Sequence, residues 1–289
     1  MELLNYKTTV PNRKTRVRLY VAGDFHCGAL GCDHKLLERQ LKFVASDPDG
    51  FLIGMGDYAE CINTQDKRFD ANSIHPRFRD NINNLLGEQY NYVKELLEPM
   101  AEEGRILCLL EGNHELKISH TYQYSFVHQL CNELDVQYGG YSCALVWQFR
   151  RGKHVKNLII YANHGRGGSA RTKGGKLNAL MKMSEIIDNA DIYLSAHVHE
   201  KATERDSKLD IGWLKGGAVV LKQRKVAYGT TGAFLRTYTE GTSSYAERAA
   251  YSPTDLGMIM VEIQPEAVKR VAGKDQNIPK LDVRDLVDY

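Results

Sequence analysis

The sequence has no long apolar run, no excess of either charge and no Pro/Ser-rich linker or internal repeat. Its longest apolar stretches, Ile106–Leu110 and Leu158–Ala162, have the length of a β-strand and are far too short to cross a bilayer. The N-terminal residues lack the apolar core of a signal peptide. We therefore expect a soluble cytoplasmic protein that does not engage membranes.

The composition is that of an ordinary globular protein that can bury a sizeable core. Of its 289 residues, 43% are hydrophobic and 26% are charged, and 38 basic residues stand against 36 acidic ones. A net charge of +2 argues neither for nor against a nucleic-acid partner, because a local basic patch matters more than the total. We expect one domain over 1–289, with a polar tail over 265–289 whose role the sequence leaves open, as it does the oligomeric state.

The six cysteines favour buried free thiols, because several of them lie in apolar, strand-like runs. Cys27, Cys32 and His34 have a spacing that could begin a zinc site. No second ligand pair with matching spacing follows them, so the sequence does not favour structural zinc there.

Strands alternate with helices in the first two thirds of the sequence, and strands dominate the last third. This order predicts an α/β protein, a layered sandwich in which helices flank central mixed sheets. Apolar periodicity predicts helices over 34–46, 73–103, 119–134 and 172–189. Strands are predicted over 17–22, 51–55, 106–110, 142–149, 155–162, 192–195, 217–221, 225–228, 232–238 and 257–263.

Five short segments, each following a predicted strand, hold the chemistry. They contain five of the ten histidines and are, in order, Asp24-Phe25-His26, Gly56-Asp57, Gly112-Asn113-His114-Glu115, Asn163-His164-Gly165 and His197-Val198-His199. Side chains at i and i+2 of a strand point to one side, so Asp24 and His26 are expected to converge while Phe25 enters the core. Glycines beside the ligand candidates suit sharp turns and close backbone approach. Ligands at the carboxyl ends of neighbouring strands form sites in open α/β sheets.

Taken together, these segments resemble the signature of the calcineurin-like metallophosphoesterase superfamily, from Asp24 to His199. That signature is D-x-H, G-D, G-N-H-[DE], a histidine on a later strand, and G-H-x-H. All five parts are present in order, with Ala196 where the family usually has glycine. The resemblance implies the metallophosphoesterase fold and two divalent metal ions. It implies that Asp24, His26 and His199 bind the first ion, that Asn113, His164 and His197 bind the second, and that Asp57 bridges both.

Elementary charge counting agrees with that implied site. Two divalent ions carry +4, and Asp24, Asp57 and a bridging hydroxide supply −3, so the pocket attracts a phosphate ester. Two ions about 3.5–4 Å apart can activate the water between them as the attacking hydroxide. Nitrogen and oxygen ligands suit manganese, our first expectation, and equally iron, zinc, nickel or cobalt.

Two further residues are predicted to act beside the metals. In the family, the position of His114 protonates or otherwise assists the leaving alkoxide, and general acids contribute about 10²–10⁴-fold. Glu60 follows Asp57 by three residues and could orient His114 or another histidine, although a surface carboxylate is the commoner outcome.

A basic, glycine-rich loop follows His164 and is the candidate substrate-binding segment. Arg166, Arg171 and Lys173 are expected to contact substrate phosphates, unless the loop is simply solvated. The arginines that protein phosphatases carry after the bridging aspartate and the G-N-H-E segment are replaced here by Tyr58-Ala59-Glu60-Cys61 and Leu116-Lys117. We therefore expect a phosphodiesterase of the prokaryotic or phage type, with nucleic acid among its candidate substrates. The alternatives are a phosphomonoesterase acting on a nucleotide or other small phosphate and, remotely, a non-catalytic protein-binding scaffold.

Overall fold

The computed structural model describes residues 1–62, 69–166, 172–213, 217–240, 245–248, 250–271 and 274–286. Among them the strands are β1 (Glu2–Thr9), β2 (Val17–Ala22), β3 (Gly50–Gly54), β4 (Ile106–Leu109), β5 (Ser142–Arg151), β6 (His154–Asn163), β7 (Ile192–Ser195), β8 (Ala202–Trp213), β9 (Val219–Thr230), β10 (Ile259–Gln264), β11 (Val268–Val271), β12 (Lys274–Asn277) and β13 (Lys280–Asp285). The α-helices are α1 (His34–Ser46), α2 (Leu85–Glu102), α3 (Asn113–Tyr122), α4 (Phe126–Leu134), α5 (Lys173–Met181) and α6 (Tyr245–Arg248). Short 3₁₀ turns cover Ala71–Ser73, Pro76–Phe78, Ile82–Asn84 and Lys182–Glu185.

Two mixed sheets form the centre of the fold. The six-stranded sheet has the order β1-β5-β6-β7-β9-β8, and the five-stranded sheet has the order β13-β10-β2-β3-β4. Strands β2, β3 and β4 run parallel, as do β6, β7 and β9, so their carboxyl ends lie at a common edge of each sheet. The predicted α/β sandwich with central mixed sheets is therefore confirmed.

Three apolar clusters hold the layers together. The cluster between the sheets is built from strand residues that include Leu19, Ile53, Trp147, Ile160 and Val261, all fully buried. A second cluster packs α1, α2 and α4 on the outer face of the five-stranded sheet, and a third packs α5 on the outer face of the other sheet. The order of the layers is thus helix, sheet, sheet, helix, as alternating helix and strand patterns require.

Several predicted elements are shorter than the sequence suggests. The helix predicted over 73–103 begins only at Leu85, because Pro76 and the asparagines around it form 3₁₀ turns first, and it continues past Pro99. The helix predicted over 119–134 is two helices, with Gln123 in the left-handed conformation at the break. The one predicted over 172–189 ends at Met181 and is followed by a 3₁₀ turn.

Strand predictions fail chiefly after residue 200. Strand β8 is absent from the prediction, and the two short strands predicted over 217–221 and 225–228 are one long strand, β9, paired with β8. The segment 232–238 forms isolated bridges rather than a strand. In the tail, β13 pairs antiparallel with β10 and so extends the five-stranded sheet.

No helix among the described residues is long and apolar enough to cross a membrane.

Arg105 is a buried cation that ties the end of α1 to the start of β3. Its guanidinium donates to the backbone carbonyls of Ala45 at 2.6 Å, Asp47 at 2.8 Å and Gly50 at 2.8 Å. The last carbonyls of a helix have no partner within the helix, and a nearby cation also interacts favourably with the helix dipole. One side chain therefore supplies donors to three carbonyls of this turn, and the carbonyl of Asp47 also accepts from Gly50 N at 2.9 Å.

We predict that Arg105→Met lowers the free energy of unfolding by about 3 kcal/mol, because it removes three charge-assisted hydrogen bonds to carbonyls at the end of α1 and the start of β3. Chemical denaturation monitored by circular dichroism measures this change. The matched control is Arg39→Met, the same substitution at an exposed position of α1, which we expect to stay within about 0.5 kcal/mol of the unchanged protein. Equal losses in the two variants would contradict the role given to Arg105.

Candidate metal centre

The candidate ligands lie just beyond the carboxyl ends of strands from both sheets. β2 ends at Ala22, β3 at Gly54, β6 at Asn163 and β7 at Ser195, and a candidate segment follows each of them. Asn113 and His114 open helix α3, shortly after β4. The two sheets therefore bring together side chains that are far apart in the sequence.

The way in which these side chains converge differs from the prediction. Asp24 and His26 do not extend β2 but lie beyond it with left-handed φ values of 51° and 50°. His197 and His199 have φ values of 69° and 54° in the loop after β7. The expectation that strand alternation aligns each pair is wrong, although Phe25 is fully buried as expected. Instead, both members of each pair adopt the left-handed conformation with one residue between them, and their side chains therefore point to the same side.

One group of ligand atoms comes from Asp24, His26 and His199, which lie within 4.8 Å of one another. The Nε2 atoms of His26 and His199 are 3.2 Å apart, and His199 Nε2 is 3.6 Å from Asp24 Oδ1. Asp24 Oδ1 is buried and has no hydrogen-bond partner within the described ranges of the chain. A buried carboxylate oxygen without a partner is costly unless a cation satisfies it.

A second group of ligand atoms surrounds His164. Its Nε2 is 3.2 Å from Asn113 Oδ1, 3.3 Å from His197 Nδ1 and 3.4 Å from Asp57 Oδ2. The same Oδ2 atom of Asp57 is 4.0 Å from His26 Nε2 in the first group. The Asp57 carboxylate thus lies between the two groups, where one oxygen can serve both.

Hydrogen bonds on the far side of two imidazoles fix their tautomers. His26 Nδ1 lies 2.9 Å from Glu60 Oε2, and His164 Nδ1 lies 2.6 Å from the backbone carbonyl of Met55. Both oxygens accept, so each Nδ1 carries the proton and each Nε2 presents its lone pair to the centre. Acceptors behind a ligating imidazole are the usual support of a metal site. The imidazole nitrogens, carboxylate oxygens and amide oxygen gathered here are ligands that suit divalent cations.

The electrostatics of the centre keep its carboxylates ionised. Burial alone would raise the pKa of Asp57, but His164 and the other nearby imidazoles outweigh it and lower that pKa well below its usual range. Burial opposes the charged form of His164, yet Asp57 and Asp24 raise the pKa of His164 to about 9. Protons and metal ions therefore compete for the same nitrogen lone pairs.

His114 lies at the open side of the centre, outside the two groups described above, although one of its ring nitrogens lies within 4.8 Å of ligand atoms of His26 and Asp57. Its backbone N–H donates to Asp57 Oδ1 at 2.9 Å, and its Nδ1 donates to the backbone carbonyl of Glu60 at 2.7 Å. Burial disfavours a charged His114, but Glu60 and Asp57 outweigh it and raise the pKa of His114. Glu60 therefore contacts two histidines, His26 through its carboxylate and His114 through its carbonyl oxygen.

Glu115 is a residue of the centre that the sequence analysis did not single out as functional. It is fully buried, and its carboxylate accepts from the backbone N–H groups of Asp57 at 3.0 Å, Ala59 at 3.1 Å and Gly112 at 3.0 Å. A glutamate three residues after a helix N-cap often reaches back to the cap in this way, and that spacing was the available signal. Glu115 fixes the backbone that presents Asp57.

Gly112 allows this close packing. A Cβ atom at Gly112 would lie 2.1 Å from Asp57 Oδ1 and 2.2 Å from Asp57 N, where no side chain fits.

The predicted substrate-binding residues are only partly described. Arg166 is exposed, two residues beyond His164. Lys173 is the first residue of α5, whose N-terminus is capped by the Thr172 hydroxyl accepting from Gly175 N at 3.2 Å. Arg171 lies outside the described residues.

We predict that Glu115→Gln weakens binding of divalent metal about 10–100-fold, because an amide N–H₂ must then face backbone N–H groups and the Asp57 turn shifts. Isothermal titration with Mn²⁺ measures the affinity. Glu111→Gln is the matched control, since Glu111 is also a buried carboxylate but accepts from Ser119 and Tyr138 instead. Unchanged Mn²⁺ affinity in Glu115→Gln would show that the carboxylate does not position Asp57.

Comparison with known proteins agrees with this geometry. The sequence matches the calcineurin-like phosphoesterase family over residues 17–201, well over half of the chain, and no curated protein matches it significantly. A solved structure of a conserved uncharacterized protein, a predicted phosphoesterase from Streptococcus pneumoniae TIGR4, is similar with 12% identity and a TM-score of 0.36, covering 93% of this chain and 99% of that one. Chaetomium thermophilum Vps29 is similar with 9% identity and a TM-score of 0.34, covering 93% and 95%. From the match over residues 17–201, the chain belongs to the calcineurin-like phosphoesterase family of metal-dependent phosphoester hydrolases.

Proposed function

We propose that the protein is a dinuclear metal-dependent phosphodiesterase. Asp24, His26 and His199 hold one ion, Asn113, His164 and His197 hold the other, and Asp57 bridges them. The observation that carries this assignment is the position of Asp57 Oδ2, 4.0 Å from His26 Nε2 and 3.4 Å from His164 Nε2. Manganese is the first candidate metal, since oxygen and imidazole ligands suit it.

The ions, when bound, lower the pKa of a water between them and neutralise charge on the phosphate. The residues of the chain orient this reaction. Asp24, Asp57 and His164 are fully or almost fully buried, whereas Asn113, His114, His197 and His199 are partly exposed and mark the side from which substrate enters. With ions bound, the attacking water would lie among the buried ligands, and the leaving oxygen would face the open side where His114 lies.

His114 is suited to protonate the leaving oxygen. Its Nδ1 is occupied by the Glu60 carbonyl, so Nε2 is the nitrogen that can give up a proton to the alkoxide. In the centre without bound ions, Glu60 and Asp57 outweigh burial and raise the pKa of His114, and of these two Glu60 is not among the proposed metal ligands. The proton passes from His114 Nε2 to the departing alkoxide, the attacking water releases its own proton to solvent, and solvent returns a proton to His114.

The charge near the centre favours a diester over a monoester. A monoester dianion carries one more negative charge than a diester and needs additional cationic contacts. The two positions at which protein phosphatases carry clamping arginines hold Cys61, which is buried and uncharged, and Lys117, which is exposed and offers one ammonium group instead of a guanidinium fork. Arg166, Arg171 and Lys173 are proposed to contact a longer substrate beyond the scissile phosphate, which makes a nucleic acid the first natural substrate to test.

A cytoplasmic location stays a prediction.

A comparison of two chromogenic esters tests this function. With added Mn²⁺ we expect kcat/KM for bis-p-nitrophenyl phosphate to exceed that for p-nitrophenyl phosphate, and Asp57→Asn to lower both about a hundredfold or more, because its bridge is lost. Asp135→Asn is the control: the same substitution at an exposed aspartate with φ 52°, against 53° at Asp57.

The other outcomes of that comparison favour the alternatives. Preference for the monoester would favour a phosphomonoesterase of nucleotides or other small phosphates. Absence of turnover with any divalent metal bound would leave a protein-binding scaffold. Gel assays on single- and double-stranded DNA and RNA then test the nuclease proposal.

His114→Asn tests the proton donor separately. We expect hydrolysis of a dinucleoside phosphate, whose leaving alkoxide needs a proton, to slow about 10²–10⁴-fold. Hydrolysis of bis-p-nitrophenyl phosphate should slow far less, because p-nitrophenolate leaves without one. His120→Asn, an exposed histidine on the same helix, should change neither rate. Equal slowing of both esters by His114→Asn would contradict the acid role.

A further inference from the structure

A second group of metal-ligand side chains lies outside the dinuclear centre, at the start of helix α1. The Sγ atoms of Cys27 and Cys32 and a ring nitrogen of His34 all lie within 4.8 Å of one another. Cys27 is fully buried, and Cys32 and His34 are 6% and 7% exposed. We name these three residues the thiol–imidazole cluster. The sequence did not favour zinc here because no second ligand pair follows, but the fold brings all three side chains to one point.

The imidazole of His34 presents an unused lone pair. Its Nδ1 lies 3.2 Å from the hydroxyl of Tyr92, and that hydroxyl donates to Glu38 Oε1 at 2.7 Å. The Tyr92 oxygen can therefore only accept from His34, so Nδ1 carries the proton. Nε2 is left as a bare acceptor, and it is buried with no hydrogen-bond partner in the part of the chain that the structure describes.

The hydrogen bond that His34 Nδ1 donates to Tyr92 is of the kind that orients metal-binding histidines in other proteins. A histidine bound to a metal through one nitrogen almost always donates its other N–H to an acceptor that is itself held in place. Here Tyr92 is the acceptor, Glu38 holds its hydroxyl, and Arg77 pairs with Glu38 at 3.2 Å and lies 4.2 Å over the Tyr92 ring. The chain from Glu38 to His34 fixes both the tautomer and the orientation of the ring.

The number and type of ligands fit zinc. Two thiolates and one imidazole form a known three-ligand zinc set, with a water in the fourth position. Tetrahedral zinc with Zn–S bonds of about 2.3 Å places two sulfurs about 3.8 Å apart, within the spread of this cluster. A cavity of about 430 Å³ lined in part by Cys32, His34 and His75 adjoins the cluster and gives room for that water. Two thiolates also neutralise the charge of the ion, which suits a buried position.

We propose that Cys27, Cys32 and His34 bind one zinc ion, separate from the ions of the dinuclear centre. Zinc displaces the thiol protons, including the one that Cys32 donates to the carbonyl of Phe25 at 3.1 Å. Soft sulfur ligands select zinc over manganese or magnesium, whereas the dinuclear centre has only oxygen and nitrogen ligands. The two sites therefore differ in the cation that they prefer.

Cobalt substitution distinguishes the two sites, because thiolate bound to Co²⁺ gives an intense near-ultraviolet charge-transfer band and the dinuclear centre has no thiolate. We expect this band when metal-free full-length protein is titrated with Co²⁺. The band should persist in Asp57→Asn, should disappear on addition of one equivalent of Zn²⁺, and should be lost in Cys32→Ser and His34→Gln. Metal analysis of protein loaded with Zn²⁺ should show one equivalent less zinc in those two variants.

Cys131→Ser is the matched control, since it removes another buried thiol, one on α4 whose sulfur contacts the carbonyl of Gln137. It should keep both the band and the zinc. Absence of a thiolate band in the unchanged protein would overturn the proposal whether or not any variant folds, and would leave the cluster as buried free thiols. A band that survives in Cys32→Ser would overturn it as well.

Discussion

The centre depends on an unfavourable backbone conformation at five of the residues that form it. Asp24, His26, Asp57, His197 and His199 all have φ between 50° and 69°, a region that costs a residue with a side chain roughly 1–2 kcal/mol. The surrounding structure must hold them there. The ring of Phe25 packs in T-shaped contacts with the rings of Tyr58 and Phe234, at centroid distances of 5.3 and 5.5 Å. Backbone bonds from Asp24 N to Gly56 O and from His26 N to Asp57 O join the loop after β2 to the loop after β3. Packing of the loops therefore determines the directions of the ligands.

The same geometry also brings imidazole nitrogens and a carboxylate oxygen close together. Ring nitrogens of two histidine pairs lie 3.2 and 3.3 Å apart, and none of the described residues donates a hydrogen bond to Asp24 Oδ1, which lies among them. Such an arrangement is unfavourable for a purely structural cluster, because buried charges and lone pairs need compensation. It becomes favourable when divalent cations stand between the groups. The acceptors behind the imidazoles, the Glu60 carboxylate and the Met55 carbonyl, keep the lone pairs pointing inward.

The sequence predicted the parts of the molecule that local patterns control. Helix α1 and the strands before the candidate segments follow from apolar periodicity, and the order of the five segments identified the family. It could not predict features that depend on distant contacts. The break at Gln123 follows no glycine or proline, and β8 is mostly polar and exposed, so it has little apolar pattern. Arg105 looks like a surface residue in the sequence, yet it joins carbonyls about sixty positions earlier. The conformation of Asp24 and His26 likewise depends on Tyr58 and Phe234, which no local pattern connects to them.

The loop between β2 and α1 carries ligand sets of two different chemical kinds. Asp24 and His26 belong to the proposed dinuclear centre, and Cys27 and Cys32 belong to the thiol–imidazole cluster. The backbone separates them: Cys27 N donates to the carbonyl of Tyr58 at 3.0 Å, and the carbonyl of Cys27 accepts from Glu60 N at 2.9 Å. Those bonds hold Glu60 where its carboxylate meets His26 Nδ1. Carboxylates prefer hard cations and thiolates prefer soft ones. Neighbouring positions on one loop can therefore select different metals, although backbone hydrogen bonds join the two sites.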